Sequence, residues 1–235
     1  MMKQDLLLHP VVLWLRFILR MALFALMLFW PAGTWDWWEA WVVLAMWFVF
    51  GLWLNAYLLY RDPELLSERL NLLPLQKDQK SWDKLLVSMF ILAWLALYIV
   101  PGLDVVRYGW SESLPLWLKI IAMIVHVPCF VLLGWVMHEN TYLSQVVKID
   151  QQRDHHVITT GPYALVRHPM YTVVIVLLYA TPLALGSRYA LPLAVYITVL
   201  IIIRTWLEDR TLHQELPGYT EYARQTRYRL VPGVW

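Results

Sequence analysis

The 235-residue chain is 60% hydrophobic and only 15% charged, well below the roughly 25% of a soluble domain, and its mean hydropathy is +0.52. That balance excludes an ordinary soluble enzyme and predicts an integral membrane protein. A net charge of +2 without a basic tract gives nucleic acid no footing, and a single cysteine, Cys129, excludes an internal disulfide or a thiolate metal cluster.

In chain order, Lys3 precedes an apolar stretch reaching Trp30, too long for the core of a signal peptide. Trp30-Pro31-Ala32 is also a poor cleavage site, so this stretch is read as a retained first span. Apolar runs predict six spans, at residues 11–30, 38–60, 84–101, 116–138, 170–186 and 190–207. The fifth and sixth are short and joined by Gly186-Ser187-Arg188, which predicts a tight antiparallel hairpin. Between the second and third spans, residues 61–83 mix leucines with charges and predict an amphipathic helix at the interface. Residues 217–229 place Tyr219, Tyr222 and Ala223 at helical spacing among charges and predict another.

Basic residues orient this layout. Lys3, the group from Arg61 to Lys84, then Lys148, Arg153 and Arg167, and finally Arg210, Arg224, Arg227 and Arg229 fall on one side; the opposite loops hold Arg107 and Arg188. The positive-inside rule then puts both termini in the cytoplasm. Trp30, Trp35, Trp37, Trp38 and Trp41, with Trp110 and Trp117, fit an interfacial aromatic belt on the other side. Arg16 and Arg20, one helical turn apart, are expected to snorkel to the cytoplasmic headgroups. The predicted fold class is all-α: a polytopic helical bundle of about six spans, with a C-terminal hairpin and an amphipathic tail on the cytoplasmic face. It divides into membrane spans over 1–138, carrying the loop 61–83, and a catalytic region over 139–235.

The chemistry concentrates in His156–Tyr171, HVITTGPYALVRHPMY. Gly161 and Pro162 break regular structure, so the flanking backbone must expose N–H and C=O groups; beside a bilayer such backbone is tolerated where it lines a cavity or is buried in protein. Pro169 suits the first turn of a helix, which places His168 at the cap, beside a terminus that favours anions. At the end of the sixth span, Arg204 and Glu208 share a helix face near the membrane edge, where ionisable residues are functional candidates. An Arg placed N-terminal to Glu is the weaker orientation, and an isolated pair is worth only about 0.2–0.5 kcal/mol. His126, mid-span, reads as a packed histidine with a helical partner. No histidine shows a ligand spacing with a carboxylate, so no metal is expected.

HVITTGPYALVRHPMY, then RTWLEDRTL, then ELPGYTEYARQTRYRLVP resemble the isoprenylcysteine carboxyl methyltransferase family over about 80 C-terminal residues; the RDPELLSERL loop resembles bacterial members. The resemblance implies a membrane methyltransferase that uses S-adenosylmethionine in a cytoplasm-facing pocket, probing a hydrophobic or lipidated acceptor that enters from the bilayer. By position, His156, Val157, Ile158 and Thr159 would line the cofactor, with Tyr163, His168, Pro169, Met170 and Tyr171 completing the pocket. Glu208 matches the cofactor-binding glutamate, Arg204 the acceptor-facing arginine, and Gln151 a cofactor-contacting glutamine. The implied reaction is carboxyl methylation of an isoprenylcysteine-like substrate, in a bacterial inner membrane. An ionised carboxylate needs no general base, so alignment in a dry site would carry the rate.

Three positions depart from the family pattern: Asp209 replaces the second glutamate of its pair, Val173 stands where a glycine is usual, and Leu216-Pro217-Gly218 opens the tail differently. The alternative is an NADPH-dependent sterol- or steroid-type membrane reductase, which carries a similar Arg-His-Pro region. Gly161-Pro162-Tyr163 and Met170 favour the methyltransferase, and only Arg153 and Arg167 lie near enough to meet a 2′-phosphate.

Overall fold

The computed structural model describes residues 9–71, 79–112, 114–140, 142 and 156–235, and all regular structure among them is helical. Six apolar helices make up the bundle: α1 (Pro10–Ala32), α2 (Trp38–Arg61), α4 (Ser81–Pro101), α5 (Leu116–Glu139), α6 (Pro169–Leu185) and α7 (Leu191–Glu215). Short α3 (Pro63–Arg69) follows α2, and short α8 (Tyr219–Gln225) follows α7. Five of the helices are long and apolar enough to cross a membrane; α6, with 17 residues, is shorter. At 1.5 Å per residue it reaches roughly 26 Å, just under a hydrocarbon core. The protein is an integral membrane helical bundle.

Local chemistry sets the helix ends. Proline opens α1, α3 and α6 at the first turn, where a missing N–H costs nothing. Gly186, at φ +85°, closes α6 in the left-handed conformation that glycine adopts without strain. Ser187 then accepts from the Ala190 N–H and donates to Asp104, fixing the predicted α6–α7 hairpin. Beyond Pro101 the fourth helix continues as a π-helical segment to Tyr108, which the hydropathy pattern does not foretell. Gly102 sits at a close crossing there: a Cβ would stand 2.9 Å from the Leu28 carbonyl oxygen of α1.

The most extensive helix packing joins α5 to α6. Fully buried His126 bridges them, with Nδ1 on the Ala122 carbonyl at 2.8 Å and Nε2 on Thr181 Oγ1 at 3.2 Å, the packed role expected for it. Trp30, Trp35, Trp38 and Trp41 are exposed, as a belt requires, but Trp37 is a core residue against Phe29.

Three expectations need correction. Residues 61–83 do not form one interfacial helix: among the described residues the short helix Pro63–Arg69 stands apart from the end of α2 at Arg61 and the start of α4 at Ser81, and Leu65, Leu66 and Leu70 are buried against Leu13, Phe17 and Leu58. Arg16 and Arg20 do not simply reach for headgroups. Arg16 donates to Ser67 Oγ and Asn71 Oδ1 at 3.0 Å, and Arg20 donates to the Arg69 carbonyl, tying α1 to the end of α3. The last span does not stop near 207: α7 runs unbroken to Glu215, so Arg204, Glu208 and Asp209 share one rigid helix.

Candidate active site

The Arg-His-Pro triplet is held by the tail. Backbone N–H groups of Arg167 and His168 donate to the carbonyls of Tyr228 and Arg229, at 3.0 and 2.9 Å. The Arg167 side chain forms a two-pronged pair with Asp209, at 2.8 and 3.2 Å, and donates from Nη1 to the carbonyls of Thr226 and Arg227. Arg167 therefore does not snorkel; it is buried, and locks the turn to α7 and to the tail. Burial alone would lower its pKa, but the hydrogen bonds and charge of Asp209 outweigh that and raise it. Asp209, 1% exposed, also accepts from Tyr219 Oη and from Arg229 Nε, both at 2.8 Å. His168 Nε2 lies 3.5 Å from the same carboxylate. The sequence departure at Asp209 is thus the hub of the C-terminal region.

Beside this hub lies a more open group. His168 caps α6 as expected, but its imidazole faces Asp209 on one side and Glu208, 4.0 Å from Nδ1, on the other. Tyr171 stacks on His168, ring centroids 5.8 Å apart, and donates its hydroxyl to Glu208 Oε2 at 2.6 Å. Glu208 keeps 22% of its side chain exposed, which makes it the carboxylate of this group that reaches the surface. Arg204 is one turn away, its guanidinium 5.7 Å from the centroid of the Tyr171 ring. Its carboxylate partner at 2.8 Å is Asp83, fully buried at the start of α4, which also accepts from Gln79. Sharing a helix face has not made Arg204 and Glu208 each other's short contact; each is held from another helix.

The Gly-Pro-Tyr turn forms the third wall. Gly161, at φ +57°, opens a single 3₁₀ turn over Gly161–Ala164, and a Cβ there would lie 2.7 Å from Glu139 Cγ. Glu139 is fixed by Thr160 Oγ1 at 2.6 Å and Trp135 Nε1 at 3.1 Å. Both strain and clash oppose any side chain at this position. Gly161→Ala is expected to destabilise the protein by about 1–3 kcal/mol, seen as a lower melting temperature, while Ala164→Ser on the exposed side of the turn should not. Tyr163 is buried, accepts from Asn140 at 2.9 Å and offers its carbonyl to Tyr222; burial pushes its hydroxyl pKa up.

Before the turn, Val157 and Ile158 pack with Met170 onto the cluster of Val136, Tyr163, Leu216, Tyr219 and Tyr222. His156 and Thr159 are exposed, and His156 Nδ1 lies 3.0 Å from Tyr142 Oη. The fold thus gathers Val157, Ile158, Tyr163, His168, Pro169, Met170, Tyr171 and Glu208 on one end of the bundle, with Arg204 beside Tyr171. Gln151, like Arg153, lies outside the described residues. Sequence reasoning missed Asp83 and Glu139, and took Asp209 only as a departure. The signal that finds Asp83 and Asp209 is an acidic residue at a span boundary, where burial demands a cation.

At the same end an apolar cleft of about 810 Å³ separates α2 from α5. It runs from Ala45 and Val127 at mid-helix, past Phe50, Trp53, Phe130 and Val131, to Tyr57 and His138. Those two close its polar end with a 2.7 Å contact, and His138 immediately precedes Glu139.

The family model described as "Isoprenylcysteine carboxyl methyltransferase (ICMT) family" matches residues 120–214. Among curated proteins, the chain is similar to the cobalt-zinc-cadmium resistance protein CzcN of Cupriavidus metallidurans. They are 37% identical over 81 residues, 33% of this chain and 37% of that protein. It is also similar to the nickel-cobalt-cadmium resistance protein NccN of Alcaligenes xylosoxydans xylosoxydans, 33% identical over 98 residues, 40% of this chain and 45% of the relative. The matches span about two-fifths of the length of these relatives. The matched segment contains α6, the Gly-Pro-Tyr turn, Arg204, Glu208 and Asp209, and over these residues the chain is similar to the isoprenylcysteine carboxyl methyltransferase family.

Proposed function

We propose that the chain is an S-adenosylmethionine-dependent methyltransferase that acts on a hydrophobic acceptor at the membrane, most specifically on the carboxylate of an isoprenylcysteine-like molecule. The observation that carries this reading is the Tyr171–Glu208 pair, half-open beside His168 and next to the apolar surface of Ile158 and Met170. The donor set fits the cofactor's mixed character: Glu208 suits a ribose hydroxyl or an ammonium, Met170 and Ile158 suit flat apolar surface, and the Tyr171 ring suits a cationic centre. Val157, Thr159, Tyr163, His156, His168 and Pro169 complete the wall in this proposal, with Gln151 assigned from the resemblance alone.

S-adenosylmethionine, when bound, would supply a methyl group on a sulfonium sulfur, its carbon–sulfur bond being exchanged for an oxygen–carbon bond to the acceptor. The chain's own residues hold and align. Asp83 engages Arg204 through Nε and Nη2, which fixes the plane of a guanidinium carrying five donors. The role proposed for Arg204 uses the Nη1 side to hold the acceptor carboxylate. No proton has to move, because that carboxylate is already ionised, and the apolar surroundings limit competing water. The cleft between α2 and α5 is proposed to take the acceptor's hydrocarbon chain, since its lining is aromatic and aliphatic and its polar end is His138, next in sequence to the Glu139 that holds the turn. Burying each methylene there contributes about 0.8 kcal/mol.

The basic-residue asymmetry supports a cytoplasm-facing site in a bacterial inner membrane. The reductase alternative loses one of its two basic residues, since Arg167 is engaged by Asp209 and the tail. Metal resistance is stated of the two relatives by their names; among the described residues no group of three or more His, Cys, Asp or Glu could hold a metal ion.

The test uses protein in lipid nanodiscs, methyl-labelled S-adenosylmethionine and S-farnesyl-N-acetylcysteine. Label released by mild alkali as methanol supports carboxyl methylation; alkali-stable label moves the acceptor to a thiol or amine; no transfer to any lipid fraction contradicts the reading. Arg204→Ala is expected to lower kcat at least about 100-fold while leaving cofactor affinity within a few-fold.

A further inference from the structure

α3 brings a second guanidinium to the candidate site from outside the family-matched segment. Its placement is built from several sides. Asp62 caps the helix by accepting from the Leu65 N–H at 2.9 Å, and Leu65, Leu66 and Leu70 are buried beneath α1 and α2. Arg16 and Arg20 of α1 hold the far end through Ser67, Asn71 and the Arg69 carbonyl. The result is that Arg69 Nη2 lies 4.0 Å from Met170 Sδ, next to Tyr171, whose ring has Arg204 over it at 5.7 Å. Two guanidiniums therefore border the Met170–Tyr171 pair, one from α3 and one from α7.

A helix that served only to cover α1 would need the leucines and not this charge. Burial, and then the like charge of Arg20, lower the Arg69 pKa to about 10, so the guanidinium gains from an anion beside it. A planar fork of donors at the edge of a partly dry site matches a carboxylate in shape and charge.

We propose that Arg69 is a carboxylate-binding residue of this site, supplied by the amino-terminal half of the chain. The inference rests on the methyl-transfer reading above, and the carboxylate has two possible sources there: the amino-acid end of S-adenosylmethionine, or the acceptor.

Calorimetric titration of wild type and Arg69→Gln in nanodiscs, with four probes, tests it. The probes are S-adenosylmethionine, its decarboxylated analogue, S-farnesyl-N-acetylcysteine and the methyl ester of that compound. Loss of on the order of 10–100-fold in affinity for S-adenosylmethionine, with the decarboxylated analogue unchanged, supports the cofactor as the source. The same loss for S-farnesyl-N-acetylcysteine, with its methyl ester unchanged, supports the acceptor. Wild-type affinities for all four in Arg69→Gln overturn the proposal while leaving the methyl-transfer reading standing. A wild-type protein that binds none of them overturns both. Arg69→Lys keeps the charge but not the fork, and guards against a misfolded Gln variant: it should melt like wild type and weaken only the carboxylate-bearing probe.

Discussion

Glu208→Ala should weaken S-adenosylmethionine binding by at least about 100-fold while leaving the fold intact. The side chain is 22% exposed and receives the Tyr171 hydroxyl at 2.6 Å, so its carboxylate is oriented but not sealed. A cofactor hydrogen bond to a charged group contributes about 1.5–3 kcal/mol, and the upper part of that range is the size of a 100-fold loss. Glu208→Gln, which retains the shape and one acceptor oxygen, should lose less. Calorimetry on both variants, beside their melting temperatures, separates binding from folding. Equal affinity of wild type and Glu208→Ala would remove Glu208 from the cofactor site.

Asp209→Asn should have the opposite profile: a large loss of stability first, with activity lost as a consequence. Asp209 is 1% exposed and is the shared acceptor of Arg167, Arg229 and Tyr219. Neutralising it leaves Arg167, itself 7% exposed, as a buried cation without its carboxylate. Breaking a buried pair from one side costs about 3–5 kcal/mol. For a chain of this size that corresponds to a drop in melting temperature of roughly 10 °C. The contribution of Arg229 is discounted because 29% of its side chain meets solvent. Because Arg167 also anchors the carbonyls of Thr226 and Arg227, the tail should become protease-sensitive at the same time. An unchanged melting temperature with an intact tail would mean that the hub is dispensable.

The contrast between these neighbours explains what could be read in advance. Glu208 announces itself locally, as an acidic residue at helical spacing from an arginine near the end of an apolar run. Span positions, the Gly186 turn and the Pro169 start are likewise local, since hydropathy, a left-handed glycine and a missing N–H act within a few residues. The partnerships are not local. Arg204 meets Asp83 across 121 residues of chain, Arg167 meets Asp209 across 42, and the residues after α8 return to pair with the backbone of Arg167 and His168. Period and composition carry no record of which buried cation finds which carboxylate. The same reason hid Arg69: a helix of seven residues leaves almost no periodic signal, and its register is set by Arg16 and Arg20 from α1. The aromatic belt shows the complementary failure, because Trp37 looks like its neighbours in sequence yet turns inward to Phe29.

The most direct measurement is calorimetric titration of the purified protein with S-adenosylmethionine, with its demethylated product and with NADPH. Micromolar binding of the first two, and no heat from NADPH, is the expected result. Binding of NADPH alone would contradict methyl transfer and reassign Glu208 and His168 to a reductase pocket.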